Sequence, residues 1–242
     1  MPDPLIVDLY AGDLNGKPDI PALVEAGAPW HGLILKATEG TGYDGGNWFQ
    51  TCWPQARECA GDRYGIDWFR GAYHYVRFSQ SPEKQVDLYL KTIDRAGGWG
   101  PGDFWPVLDV ENANNSGVTK SQIVDCVTAM ADALRLRLGR DVTLYGGSLL
   151  YDNGITDHMG CSRLWTARYA STLPAIVYER IGWQRDDLVM WQYCGDGEAY
   201  LANYPATSPI GKTDISALTI AGGGQAALDY LREQFSASAP TP

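Results

Sequence analysis

Two acidic side chains, Asp109 and Glu111, follow a short apolar segment and have the spacing of a catalytic pair. The segment 104–108 reads Phe-Trp-Pro-Val-Leu, which is typical of a parallel strand covered on both faces. Because side chains alternate along a strand, the two acids point the same way, about 7 Å apart at the backbone. Burying two carboxylates in a core is costly, so we expect the pair at the mouth of a pocket. There, burial and mutual repulsion raise a carboxyl pKa, which lets one acid hold a proton near neutral pH.

Acids also recur where other apolar segments end, at Asp8, Glu39 and Asp214. In a barrel of parallel strands, the carboxyl ends of the strands converge on the face where catalytic groups lie. One such acid alone is more often a cap or a solvated loop residue, and a strand ending in solvent would also explain Asp109 and Glu111. The nine Trp and 14 Tyr residues favour a carbohydrate site, because the apolar faces of sugar rings pack on aromatic rings.

The elements that position these acids alternate between strand and helix in the first half of the chain. Strands are predicted at 5–10, 31–37, 71–75, 104–112 and 142–145, and helices at 19–27, 47–60, 82–96 and 118–138. This alternation predicts an α/β fold, a (β/α) barrel of TIM-like type. In the second half, predicted strands at 164–169, 189–193 and 212–215 are joined by loops, and 226–235 is a closing helix. We therefore expect the second half of the barrel to be incomplete.

Length and composition favour a single globular domain and argue against nucleic-acid-binding and membrane-spanning proteins. A chain of 242 residues suits one large domain, predicted as 1–235, followed by a flexible tail or linker start at 236–242. The net charge of −10, without any basic stripe, argues against nucleic acid as a partner. Neither a signal peptide nor an apolar run of about 18 residues is visible, so membrane insertion is not expected. Five scattered cysteines without a CxxC pair predict free thiols and synthesis in a reducing cytoplasm.

Other catalytic motifs are incomplete. The three histidines form no HExxH motif, and His74, between two tyrosines, is expected in the core. The sequence at 146–148 lacks the second glycine of a serine hydrolase elbow, and 211–213 lacks the first glycine of a phosphate loop. We expect neither a metal site nor a cofactor.

Seven short motifs, in this order, resemble glycoside hydrolase family 25, the lysozymes that cut peptidoglycan as N-acetylmuramidases. They are Val7-Asp8, Leu35-Lys36-Ala37-Thr38-Glu39-Gly40-Thr41, Gly71-Ala72-Tyr73-His74-Tyr75, Leu108-Asp109-Val110-Glu111, Leu164-Trp165-Thr166-Ala167-Arg168-Tyr169, Trp191-Gln192-Tyr193 and Thr213-Asp214-Ile215. The resemblance implies an irregular, flattened β/α barrel. The chain departs from the family's usual Asp-Val-Ser at Asp8-Leu9-Tyr10, so we expect a different first loop.

The resemblance also implies roles for individual residues. Glu111 matches the family's general acid and base, and Asp109 its partner acid. Asp8 and Asp214 would complete the catalytic group by shaping the field and binding substrate. A retaining outcome is implied, either through a covalent intermediate or, as the Asp-x-Glu spacing favours, through the substrate's N-acetyl group oriented by Asp109. Candidate substrate-binding residues are Glu39, Tyr75, Trp165, Arg168, Trp191 and Gln192.

The implied function is that of a lysozyme cleaving the β-1,4 bond between N-acetylmuramic acid and N-acetylglucosamine. A bacteriophage endolysin would be made in the host cytoplasm and reach the wall after holin-type release. Its partners would be peptidoglycan glycan strands and a possible separate wall-binding module. The net negative charge of the chain disfavours adhesion to an anionic cell wall, and such a module would offset this effect. A monomer is expected. Two alternatives remain, a non-catalytic wall-binding or virion structural protein on the same fold and a chitinase-like glycosidase. The target bacterium and the tolerated wall modifications are open.

Overall fold

A computed structural model describes residues 3–195, 197–199 and 204–236. The strands are β1 (Leu5–Leu9), β2 (Trp30–Glu39), β3 (Phe69–Tyr75), β4 (Val107–Val110), β5 (Thr143–Gly146), β6 (Arg163–Ala167), β7 (Leu188–Gly195), β8 (Glu198–Ala199) and β9 (Asp214–Leu218). The helices are α1 (Ile20–Glu25), α2 (Gly46–Ala60), α3 (Pro82–Arg95), α4 (Lys120–Leu138), α5 (Ser148–Asp152), α6 (Ile176–Glu179) and α7 (Gly224–Ser236).

Eight of these strands form a closed barrel. Strands β1 to β7 pair in parallel, each with the next, and β9 closes the ring by pairing antiparallel with both β7 and β1. The predicted α/β barrel is therefore confirmed. Its second half departs from regular alternation as expected, and the last strand is reversed. The connections that follow β5 and β6 were predicted as loops, but each contains a short helix, α5 and α6.

The helices of the first half form where capping and apolar spacing favour them. Helix α4 begins with a capping box between Thr119 and Gln122 and ends at Gly139, which has the positive φ of 61° that favours glycine at a helix end. Its residues Ile123, Val127, Met130 and Leu134 recur on one face and are buried against the barrel. This packing leaves the charged side chains of the helix in solvent.

The side chains that point into the barrel differ between the two ends of the strands. At the amino ends of the strands, Phe69, Phe104 and Trp105 pack on Phe235 of α7, so this helix closes one end of the barrel. At the carboxyl ends, the inward positions carry polar side chains, among them Asp8 and Asp109. An open site is therefore left at the carboxyl ends of the strands.

Other features of the described residues bear on the sequence predictions. All five cysteines have free thiols, and four of them are buried. His74 is a core residue, as predicted, with ring nitrogens hydrogen-bonded to Thr38 and Gln85. In the described part of the chain, no helix combines the length and apolar character needed to cross a membrane. The predicted tail 236–242 lies, except for Ser236, outside the described residues.

Candidate active site

A cavity of about 80 Å³ opens at the carboxyl ends of the barrel strands. Its lining includes all four of the predicted catalytic acids, which come from three strands and from the residue that follows one of them, together with Trp165 and Gln192. The complete lining is Asp8, Tyr73, Asp109, Glu111, Tyr145, Trp165, Gln192 and Asp214. Residues more than 200 positions apart in the chain thus meet in one pocket.

The acids Asp109 and Glu111 lie at the end of β4, on the inward face predicted by strand alternation. Asp109 is only 6% exposed, and its Oδ1 atom has no hydrogen-bond partner among the described residues. Burial, and then the charge of Glu111, raises the pKa of Asp109 well above its ordinary value. Burial also raises the pKa of Glu111, while a hydrogen bond from Tyr145 and the charge of Lys36 lower it. The pair can therefore hold a proton at a pH where an exposed carboxyl group would be ionised.

A second pair of acids faces the first across the cavity. Asp8 on β1 and Asp214 on β9 are direct partners in the antiparallel ladder, which brings their side chains together. The Nε2 group of Gln192 donates to the Oδ2 atoms of both, at 3.1 Å each. Burial and the charge of Asp214 raise the pKa of Asp8 well above its ordinary value. Gln192 thus holds two mutually repelling carboxyl groups in place.

The other end of the Gln192 amide faces two tyrosines. Its Oε1 atom accepts hydrogen bonds from the hydroxyl groups of Tyr145 at 2.6 Å and Tyr169 at 3.2 Å. The Tyr145 hydroxyl also reaches the Glu111 carboxyl group. A phenol has one proton, so Tyr145 donates either to Gln192 or to ionised Glu111 at any moment, and Tyr169 still donates to Gln192 when Tyr145 donates to Glu111. Tyr145 therefore lies between the two acid pairs and can donate a hydrogen bond to Glu111 of one pair or to the glutamine that holds the other.

One lysine supplies positive charge beside the first acid pair. The Lys36 ammonium lies 2.6 Å from Glu39 Oε2 and 4.8 Å from the centre of the Tyr75 ring. Its charge lowers the pKa of both Asp109 and Glu111 and partly offsets their burial. Glu39, predicted to bind substrate, lies outside the cavity lining in ion pairs with Lys36 and, at 3.6 Å, with Arg77.

The structure places the other predicted binding residues at different distances from the acids. Trp165 lines the cavity and donates from Nε1 to Ser216 Oγ at 2.9 Å. Tyr75 stands beside the acid pair and donates to the Ala113 carbonyl oxygen at 2.6 Å. Trp191 belongs to the core and donates to the Arg168 carbonyl oxygen at 2.8 Å. Arg168 lines a neighbouring groove instead.

Three residues of this region were not predicted, namely Lys36, Tyr73 and Tyr145. Tyr73 lies two positions before Tyr75 on the same face of β3, so strand alternation was a usable signal. Tyr145 is the β5 partner of Asp109 in the parallel register, which only the paired strands reveal. Lys36 lies within a predicted motif, and its closeness to the acids depends on the pairing of β2 with β3.

The chemistry open to this site is proton transfer and electrostatic stabilisation. Two carboxyl groups with raised pKa values can act as acid and base, and the aromatic walls suit a sugar ring. Within residues 3–195, 197–199 and 204–236, no group of three or more His, Cys, Asp or Glu side chains is arranged to hold a metal ion.

Comparisons with known proteins agree with this geometry. The sequence profile described as "Glycosyl hydrolases family 25" matches residues 11–200, which is more than half of the chain. No curated protein sequence matches the chain significantly.

Several solved structures share the fold. A muramidase from Trichobolus zukalii is 21% identical, with a TM-score of 0.69 over 96% of this chain and 99% of that one. A bacterial lysozyme from Streptomyces coelicolor is 21% identical, with a TM-score of 0.70 over 96% and 98%. The catalytic domain of endolysin ply40 from bacteriophage P40 of Listeria monocytogenes is 16% identical, with a TM-score of 0.64 over 95% and 97%.

Proposed function

The chain belongs to the glycosyl hydrolases of family 25 and is a glycoside hydrolase, and from this premise we propose that it is a lysozyme. In this proposal it cleaves the β-1,4 bond between N-acetylmuramic acid and N-acetylglucosamine in peptidoglycan, with retention. The structural relatives described as muramidase and lysozyme support this substrate. The four acids around one cavity support hydrolysis at this site.

The observation that carries the proposal is the buried Asp109 Oδ1 atom next to Glu111, for which the described residues provide no hydrogen-bond donor. A buried acceptor without a donor is costly, and a substrate that supplies an N–H group removes that cost. The acetamido group of an N-acetylated sugar is such a donor. Asp109 would therefore bind and orient the N-acetyl group beside the bond that Glu111 protonates.

In the first step, Glu111 donates its proton to the glycosidic oxygen as the bond to the leaving sugar breaks. The acetamido carbonyl oxygen forms a bond to the anomeric carbon, and the Asp109 carboxylate stabilises the resulting positive charge. In the second step, ionised Glu111 takes a proton from water, whose oxygen bonds to the anomeric carbon as the acetamido oxygen leaves. Two inversions give retention.

The alternative route uses a carboxylate as the nucleophile and forms a covalent glycosyl-enzyme. A thiazoline analogue of the bound sugar mimics the cyclic intermediate and inhibits strongly only if the acetamido group takes part. Asp8, Asp214 and Gln192 have the same role in both routes, which is to keep negative charge and hydrogen bonds around the developing positive charge.

The first test compares wild type with Glu111→Gln on purified peptidoglycan, by turbidity clearing and analysis of the released fragments. Loss of the general acid should slow the reaction by about 10²- to 10⁴-fold. Glu233→Gln, an isosteric change on the exposed face of α7, is the matched control and should keep the wild-type rate.

The outcomes separate the candidate functions. Fragments with reducing-end muramic acid, released by wild type and not by folded Glu111→Gln, support the muramidase. Faster turnover of chitin oligomers would favour the chitinase-like alternative. A wild type that is inactive on several wall types, or Glu111→Gln at full rate, would leave the non-catalytic wall-binding protein.

The proposal extends to the domain organisation of the enzyme and to where it acts. Residues 1–235 would act as one catalytic domain and as a monomer, with 236–242 leading to a possible wall-binding module. The fold shared with the catalytic domain of a phage endolysin supports a role in phage release, in which the enzyme meets the wall after a membrane pore opens.

A further inference from the structure

A second cavity, of about 690 Å³, lies next to the catalytic cavity on the rim of the barrel. We call it the side groove. It runs between the segments that follow β5 and β6 and the helix α6. The residues that matter for its chemistry are Ser148, Tyr151, Arg168, Tyr169, Ile176 and Arg180.

The side groove differs from the rest of the chain in charge. Its described lining contains two arginines and no acid, although the whole chain has a net charge of −10. Arg168 and Arg180 are exposed, and neither has a carboxylate partner among the described side chains. Arg180 donates to the Tyr151 hydroxyl group and stacks 5.2 Å from the centre of that ring. The groove therefore offers two guanidinium groups to an anionic ligand.

The groove also exposes apolar surface. Tyr151, Tyr169 and Ile176 are each about half exposed, and they are three of the six large hydrophobic residues exposed in the described part of the chain. Scattered exposed apolar residues are common on protein surfaces, whereas a cluster of them in a concave site indicates a binding surface. A ligand for this groove should thus combine small apolar groups with carboxylates.

Hydrogen bonds connect the groove to the catalytic cavity. The Arg168 backbone N–H donates to the Gln192 carbonyl oxygen at 3.0 Å, and its carbonyl oxygen accepts from the Trp191 indole at 2.8 Å. The Tyr169 hydroxyl donates to the Gln192 side chain, which itself holds Asp8 and Asp214. A substituent on a sugar bound at the acids therefore lies next to a preorganised groove.

We propose that the side groove binds the short peptide carried by the muramic acid of the glycan strand, with Arg168 and Arg180 binding the carboxylates of that peptide. This inference rests on the proposed function. The alanine side chains of such a peptide would pack on Tyr151, Tyr169 and Ile176. The groove would then make the enzyme prefer peptide-bearing strands over bare glycan.

The test measures kcat/KM on two substrates prepared from one batch of peptidoglycan freed of teichoic acid. One keeps its uncross-linked peptides, and the other has lost them to an amidase. Because charge-assisted hydrogen bonds are among the stronger polar contacts, Arg168→Gln/Arg180→Gln should reduce the preference for peptide-bearing strands about tenfold or more. Lys84→Gln/Lys91→Gln removes two exposed positive charges from α3 and should keep the wild-type preference.

Three results would overturn the proposal. In the first, wild type cleaves peptide-bearing and peptide-free strands equally well. In the second, the arginine double variant keeps the wild-type preference for peptide-bearing strands. In the third, the lysine double variant loses this preference as much as the arginine double variant does, which would indicate general electrostatic attraction. A further arm restores teichoic acid to the peptide-free strands. If its phosphates, and not the peptide carboxylates, produce the arginine-dependent gain, the assignment to peptide is wrong.

A failure of the proposed function is distinguishable from a failure of the groove assignment. If wild type cleaves neither substrate, the lysozyme proposal fails. The groove is then tested alone by calorimetric titration of wild type and the arginine double variant with a soluble disaccharide peptide. The groove assignment is supported if the variant binds the disaccharide peptide at least tenfold more weakly than wild type and if amidation of the peptide carboxylates weakens wild-type binding similarly. Equal affinity of wild type and variant for the peptide overturns it.

Discussion

Two buried aspartates at opposite ends of β4 differ in their partners. Asp103, just before the strand, is fully buried and forms an ion pair with Arg70, whose Nε and Nη2 atoms lie 2.6 and 3.2 Å from its two oxygens. The backbone N–H of Gly100 and the hydroxyl of Tyr64 also donate to it. Asp109, near the other end of the strand, forms no ion pair within the described part of the chain, and its Oδ1 atom has no donor there. The charge of Lys36 offsets its burial only in part. One end of the barrel thus pairs its buried charge completely, and the other end does not.

The Arg70 side chain is satisfied as completely as its partner. It donates to the Trp53 carbonyl oxygen at 2.6 Å and stacks 3.8 Å from the centre of the Trp53 ring. Arg140 then closes the surrounding loop by donating to the carbonyl oxygens of Asp103 and Gly100. Such a network suits a structural role, because every charge has a partner.

The catalytic end has the opposite arrangement. Asp8 and Asp109 are buried next to other acids, Asp214 and Glu111, and burial raises both pKa values. The cost of holding these groups together is borne by the rest of the fold, as is common at functional sites. The comparison teaches that the neighbours of a buried aspartate distinguish two roles: Asp103 is paired with a cation and suits a structural role, whereas Asp8 and Asp109 are crowded by other acids and suit a functional one.

The largest effect should come from breaking the structural pair. Arg70→Met leaves Asp103 as an uncompensated buried charge, so we expect the free energy of unfolding to fall by about 3–5 kcal/mol. Urea denaturation measures it. Arg70→Met/Asp103→Leu should recover part of this loss, because no lone charge remains. A loss below about 1 kcal/mol for Arg70→Met would contradict the assigned role.

Asp109→Asn should have the reverse effect on stability while reducing activity. Removing a carboxyl group whose ionised form is opposed by burial and by the charge of Glu111 should raise the free energy of unfolding at pH 7 by about 1–2 kcal/mol. The native state holds extra protons on Asp8 and Asp109, so wild-type stability should fall as pH rises from about 4 through their raised native pKa values. In Asp109→Asn, the free energy of unfolding should fall less steeply with pH than in wild type, and the two slopes should differ by at most about 1.4 kcal/mol per pH unit.

Urea denaturation between pH 4 and pH 8 measures both effects of Asp109→Asn. Asp44→Asn is the control, because a hydrogen bond from Arg95 lowers the pKa of Asp44. The contribution of Asp44 to stability is lost only as pH decreases through that lowered pKa. Asp44→Asn should therefore still show the decrease in the free energy of unfolding between pH 4 and pH 8. A wild-type profile that rises from pH 4 to pH 8 would contradict the uncompensated burial of Asp8 and Asp109.

The smallest effect should come from Tyr145→Phe. Its hydroxyl stabilises ionised Glu111, so its loss should raise the pKa of the general acid. The reaction needs protonated Glu111, and the alkaline limb of the pH–rate profile should move upward by about half to one pH unit. The profile of kcat/KM measures this shift. The control is Tyr178→Phe, which changes a buried tyrosine of α6. An alkaline limb that moves downward in Tyr145→Phe would refute the assigned hydrogen bond.

The sequence alone determined the main elements and one half of the site. The alternation of apolar strands with helices predicted the barrel, and a period of two along β4 placed Asp109 and Glu111 on one inward face. Both are local patterns, in which residues close in the chain share a face because of backbone geometry. For the same reason, the closing helix α7 was predicted from its own residues.

The tertiary structure decided the rest, because it depends on which distant strands pair. The reversal of β9 places Asp214 opposite Asp8, and the Gln192–Asp8 hydrogen bond spans 184 residues of sequence. The register of β4 with β5 brings Tyr145 beside Asp109, and the ion pair between Arg70 and Asp103 shows which acid is compensated. No local period records such contacts, so both the partners of Asp103 and the missing partner of Asp109 appear only in the folded chain.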